Sequence, residues 1–116
     1  MNERLQGRLK QFERVAGVQA CGLLLADQTH FSLGFDSSFT PEGLQNACAG
    51  VAETIRTLAR QGIPPSRLQW VYEHFLLHCL PRPDGAWLVV FCTRKPKQLD
   101  SAALEQQLTE FRTAEM

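Results

Sequence analysis

Three segments of this chain are apolar on both alternating faces: Val18–Ala26 apart from Gln19, Phe75–Leu80 almost throughout, and Ala86–Cys92. A strand reads this way only when both sides of its sheet are covered. Such a sheet needs a layer of helices on each face, so the search for helices decides the architecture. Two further segments alternate instead. Thr29–Phe35 sets Phe31, Leu33 and Phe35 against His30, Ser32 and Gly34, and Arg67–Glu73 sets Leu68, Trp70 and Tyr72 against Arg67, Gln69 and Glu73, with Val71 as the one apolar exception. One wet face marks these two as edge strands.

The helices are legible from periodicity. Asn2–Ala16 repeats Leu5, Leu9, Phe12 and Ala16 at helical spacing, with Gly17 placed to end it. Thr40-Pro41-Glu42 is a strong helix start. Leu44, Ala47, Cys48, Val51, Ile55, Leu58 and Ala59 follow as one apolar stripe, and Arg60, Gly62 and Pro64-Pro65 close it. Asp100 caps the last helix, whose inner face is Leu104, Leu108 and Phe111, with Leu99 able to staple onto Leu104. Turns are read at Asp27-Gln28 and at Pro81–Gly85, and Glu73-His74 either turns the chain into a hairpin or bends one continuous strand. The element order is therefore α-ββ-α-βββ-α, an α+β fold. Short connections imply antiparallel neighbours, with the first, fourth and fifth strands central and the second and third at the edges. That gives a five-stranded antiparallel sheet of order 2-1-5-4-3, the middle helix on one face and the two terminal helices on the other. With 116 residues the chain reads as one domain, 1–116.

Chemistry is sparse. Twelve basic side chains balance twelve acidic ones, so no net field gathers nucleic acid or anionic lipid. The longest apolar run is Ala86–Cys92, far short of the ~20 residues that span a bilayer, and the N-terminus lacks a signal-peptide hydrophobic region. The expectation is a cytoplasmic protein with no membrane insertion. Cys21, Cys48, Cys79 and Cys92 fit no zinc or CxxC spacing and each lies in an apolar stretch, which reads as reduced core. No phosphate loop, nucleophile elbow or HExxH is present, and the carboxylates are dispersed. No catalytic residue, cofactor or metal site is therefore expected. His74, His78 and Cys79 are close in sequence, but on a strand His78 and Cys79 point to opposite faces and cannot share an ion. His78 reads as a buried histidine or a polar contact beneath a helix. Arg94, Lys95 and Lys97 read as a solvated loop.

Protein binding has more support. Trp70 and Tyr72 either cap the core beneath a helix or form an interface, where aromatic residues are enriched. Residues 66–73 hold no proline and only Arg67 and Glu73 as charges, so this edge is poorly protected against pairing. A twofold partner using the same strand would remove the exposed edge. On the middle helix Ala49, Gly50 and Ala52 lie on or beside the outward face. Glycine costs ~1 kcal/mol there relative to alanine, which either close approach of another helix or neutral drift would explain.

This arrangement resembles the roadblock family, dynein light chains and their prokaryotic relatives, over nearly the whole chain. Ala16-Gly17-Val18 resembles the family's entry into its first strand, and Leu23-Leu24-Leu25-Ala26-Asp27 that strand running into its acidic turn. Leu80-Pro81 with Asp84-Gly85-Ala86-Trp87-Leu88-Val89-Val90 resembles the fourth-to-fifth strand hairpin. Gln28-Thr29-His30 and Glu73-His74 stand where the family often has glycine. The resemblance implies a homodimer whose third strands pair, with middle helices side by side, placing Leu68, Trp70, Tyr72, Ala49 and Gly50 in the interface. It implies a platform for a small Ras-like GTPase, or an adaptor in a larger assembly, with Glu53, Thr54, Arg56 and Thr57 as the docking surface. Bacterial relatives of this kind reshape the GTPase's own site, so no arginine finger is required of the platform. Two other expectations follow from the same elements: a profilin-like sensor holding a small ligand between sheet and helix, and a secretion-chaperone-like dimer.

Overall fold

Hydrophobic patterning places the elements close to where the structure has them. The computed structural model describes residues 3–27, 29–63 and 66–113. Gln28 of the first turn, Pro64-Pro65, the chain ends and the side chain of Leu5 lie outside what is described. The strands are β1 (Val18–Leu24), β2 (His30–Gly34), β3 (Leu68–Val71), β4 (Phe75–Pro81) and β5 (Trp87–Thr93), and the helices are α1 (Glu3–Lys10), α2 (Pro41–Arg60) and α3 (Ser101–Thr113). The strands form one antiparallel sheet in the order β2-β1-β5-β4-β3, as the burial pattern of the sequence demands.

Two apolar layers hold it. On one face Leu9 and Phe12 from the N-terminal segment meet Leu104, Leu108 and Phe111 of α3 over Cys21, Leu23, Leu88 and Val90. On the other, Leu44, Cys48 and Val51 of α2 cover Ala20, Leu24, Leu77, Cys79, Val89 and Phe91. Gly22 of β1 lets α2 descend this far, since a Cβ there would stand 3.1 Å from the Cys48 Sγ. The Thr40 hydroxyl caps α2 by accepting the Gly43 N–H at 3.0 Å. The Asp100 carboxylate accepts the Ala103 N–H at 3.1 Å and caps α3.

The first helix differs from expectation. It is α-helical only to Lys10, and Gln11–Arg14 is a 3-10 turn. The tighter winding brings residues three apart onto one side, so Val15 joins Phe12 in the core while Ala16 is exposed. At the far end of α2, Ala59 is exposed rather than part of the inner stripe.

Gly17 links the layers. Its φ is +91°, a region closed to most side chains. A Cβ there would lie 2.7 Å from the Leu99 Cα and 2.8 Å from the Gln98 carbonyl oxygen. Its own carbonyl accepts the Thr93 N–H at 2.8 Å, and the Ala16 carbonyl accepts the Asp100 N–H at 3.0 Å. Positive φ and backbone collision together predict that Gly17→Ala destabilises the fold by about 2–4 kcal/mol, read as a lowered urea midpoint with unchanged slope.

Candidate functional site

The sheet is covered unevenly, and the shortfall falls at β3. On its face of the sheet α2 runs nearest to β2 and β1, so the helical layer thins toward the opposite edge. Leu68 and Trp70 turn toward that thin side and are half-buried against the α2-side core. They therefore cap the core, as the sequence allowed, and remain partly uncovered. Val71 points the other way and is 65% exposed, more than any other large apolar side chain described. In the sequence it stands only as an exception to the alternation, yet that break is the signal.

Tyr72 lies just past β3, in the turn, at 40% exposure. Its N–H donates to the Phe75 carbonyl at 2.9 Å, which puts Glu73 and His74 at the tip of a two-residue hairpin. The Tyr72 ring stacks on Phe75 with centroids 4.5 Å apart, and Phe75 meets Phe39 edge-on at 5.0 Å. Arg94 donates to the Tyr72 and Glu73 carbonyls at 2.9 and 3.2 Å, so this residue of the supposed solvated loop pins the turn. The outer edge of β3 pairs with no strand among the described residues.

The outward side of α2 carries the other singled-out residues. Ala49, Gly50, Glu53 and Thr57 are exposed, and Ala52, Thr54 and Arg56 are half-buried. Among the described residues nothing lies within 4 Å of a Cβ built on Gly50, so no contact seen there calls for glycine. Glu53 takes Arg56 at 2.7 Å and Arg60 at 3.6 Å. These neighbours hold its carboxyl below the ordinary value, the Arg56 hydrogen bond contributing most. Thr54 and Thr57 commit their hydroxyls to the Gly50 and Glu53 carbonyls.

No protein-family model and no curated protein matches the chain significantly. Solved structures do match in shape. A roadblock/LC7 domain from Streptomyces avermitilis superposes with a TM-score of 0.64 at 18% identity, covering 96% of this chain and 91% of that one. The gliding protein MglB from Thermus thermophilus gives 0.65 at 17% identity, over 95% and 84%. An MglB with a tetrameric arrangement gives 0.66 at 16% identity, over 95% and 83%. The chain has the roadblock fold.

Buried chemistry in this roadblock fold is directed at structure. Burial pushes the Cys48 thiol up to about 11 and the Cys92 thiol to about 12, and raises Cys21 and Cys79 as well. Thiols held protonated in this way are poor nucleophiles. Among the described residues no group of three His, Cys, Asp or Glu side chains could hold a metal ion, and no helix is long and apolar enough to cross a membrane. His78 faces α3 while Cys79 faces α2.

His78 belongs to a clasp at the β3 end of the sheet. Arg67, just before β3, grips Glu105 of α3 with both terminal nitrogens at 2.9 and 3.2 Å. The same guanidinium lies 3.2 Å from the His78 Nδ1. Neutral imidazole can accept there and imidazolium cannot. Burial, followed by the Arg67 charge, pushes His78 below the ordinary histidine value. The Arg67 hydrogen bond likewise lowers Glu105.

For His78 the unfolded chain takes up its proton first, so the histidine's share of stability is full above pH ~6.5 and is lost as pH falls toward its depressed value. Glu105 adds a loss at lower pH, as its carboxylate titrates. The expected result is an unfolding free energy that falls on acidification from pH 7 to pH 5. In His78→Asn the fall over that window flattens, measured by urea melts at each pH.

Proposed function

We propose that this chain is a non-catalytic, dimeric regulator or scaffold of the cytoplasm that pairs through β3 and presents α2 to a small Ras-like GTPase. The observation that carries the reading is the outer edge of β3, unpaired among the described residues, with Val71 exposed on its α3 side and Leu68 and Trp70 only half-buried on its α2 side. An edge strand with no proline and an outward apolar side chain invites pairing. A second copy related by a twofold axis would continue the sheet, and its α2 would lie over the thinly covered side of β3 and β4, finishing the burial of Leu68 and Trp70. Gly50, on the flank of α2 toward β3, gives that second helix room to approach, while Ala49 lies outward beside Arg56. The tetrameric arrangement of one MglB structure is consistent with self-association of this chain.

The GTPase part rests on the roadblock resemblance together with a polar, structured surface on α2. Glu53 and Thr57 face solvent there, Thr54 and Arg56 flank them, and Arg60 extends the charged network. Placing docking on this face leaves the sheet edge to the dimer.

Wild-type protein is expected to run as a dimer by light scattering on a sizing column. Val71→Lys is the suitable variant, because the side chain makes no core contact, whereas Trp70 is half-buried within its own subunit. It should give a monomer that keeps the wild-type far-UV circular dichroism spectrum and loses the concentration dependence of its thermal midpoint. A monomeric wild type removes the platform reading. In pull-downs with small Ras-like GTPases from the same genome, Glu53→Lys should stay dimeric and lose capture of the form loaded with a GTP analogue. Equal capture by wild type and variant would exclude this face as the docking surface.

A further inference from the structure

A cleft opens between α2 and the end of the sheet opposite the β3–β4 turn. Its apolar wall is Leu24 at the end of β1, Trp87 at the start of β5, and Ala52 and Ile55 on α2, while His30 and Arg56 stand at the rim. The void is about 200 Å³. That exceeds the roughly 150 Å³ of an engineered cavity that admits benzene, and it falls below the ~300 Å³ at which drug-sized pockets begin. A single ring with a short substituent is the size that fits.

The chemistry of the rim narrows the class. Glu53 engages one nitrogen of Arg56 at 2.7 Å. A guanidinium carries five N–H donors in a rigid fork suited to a carboxylate. The nearby acid Asp27 is turned away from this task, accepting the Thr29 N–H at 3.0 Å and the Thr29 hydroxyl at 2.6 Å. Trp87 is half-buried and supplies an indole for ring stacking. Apolar walls, one indole and a cation at the mouth describe a site for a flat, singly charged anion.

From this we infer that the α2–β1–β5 cleft binds a monocyclic aromatic carboxylate, with its ring against Trp87 and its carboxylate on Arg56. The site stands independently of dimer formation. Ala52 and Arg56 fall on one flank of α2, and Gly50 and Thr54 fall on the flank opposite, by the 100° step of an α-helix.

Phenylacetate, with phenylacetamide as its uncharged counterpart, is the probe, followed by two-dimensional ¹H–¹⁵N NMR of the full chain. The Trp87 indole N–H should shift saturably with phenylacetate while the Trp70 indole N–H stays in place as an internal reference. Phenylacetamide and the Arg56→Gln variant should each bind about five- to tenfold more weakly. Ala52→Met, which fills the cleft, should keep a folded spectrum and lose the Trp87 response. Running Val71→Lys beside the wild type separates this result from the dimer reading, since the cleft should respond alike in both. The inference is overturned by absence of a saturable Trp87 shift up to about 10 mM, by equal binding of the amide, or by an undiminished response in either cleft variant.

Discussion

Everything in this molecule follows from burying β1 and β5 on both sides. From Ala20 to Leu24 and from Leu88 to Thr93 every residue is buried, and the strands lie side by side at the centre of the sheet. Two apolar faces on one strand cannot be satisfied by one layer, so α2 is drawn to one side and α1 and α3 to the other. Gly22 beneath Cys48 and Gly17 beside Leu99 are two points where the packing leaves little room for a side chain. Because α2 lies nearest to β2 and β1, cover is uneven elsewhere. The sheet has five strands, and one helix about five turns long does not span them equally. The uncovered remainder is β3.

That remainder is the physical basis of the dimer reading. A lone edge strand with polar outward side chains would be stable in water. Here the edge carries Val71 exposed and Trp70 half-covered, while among the described residues no strand pairs with its outer side. At the same time the segment is held in shape. Arg67 ties its start to α3 through Glu105, and Arg94 ties its end to β5 through the Tyr72 and Glu73 carbonyls. An edge that is fixed at both ends and left unpaired between them is preorganised for strand addition, because little chain entropy remains to be lost on pairing. The His78 clasp belongs to this same bracing.

Layering and strand order were legible because they rest on local periodicity: the two-faced runs, the stripe on α2, the turn residues. What the sequence hid were relations between distant residues. Arg67 and Glu105 are 38 positions apart, and no spacing rule connects them. Arg82 looked like part of a turn, yet it is buried, pairs with Asp84 at 3.1 Å, donates to the Phe111 carbonyl and lies over the Phe111 ring. The 3-10 turn at Gln11–Arg14 escaped because Phe12 and Ala16 satisfy an α-helical spacing as well as Phe12 and Val15 satisfy a 3-10 one. Trp70 drew attention for its size, but the more telling residue was Val71, whose apolar side chain stands where the alternation called for a polar one. The cleft beside Trp87 was invisible because it is made by two turns and a helix flank that meet only in three dimensions.

The middle helix reconciles these readings because its circumference divides among them. Leu44, Cys48 and Val51 face the sheet. Ala52 and Arg56 look toward the β1–β2 end and the cleft. Gly50 and Thr54 occupy the opposite flank, toward β3, and Glu53 points outward between them. Arg56 sits at the seam: it lines the cleft and is bonded to the outward Glu53 at 2.7 Å. An anion drawing on Arg56 would therefore compete with Glu53 for the same fork and alter the charge that α2 shows to a partner. A small ligand and a protein partner need not touch for one to affect the other, since a shared guanidinium is a sufficient physical link.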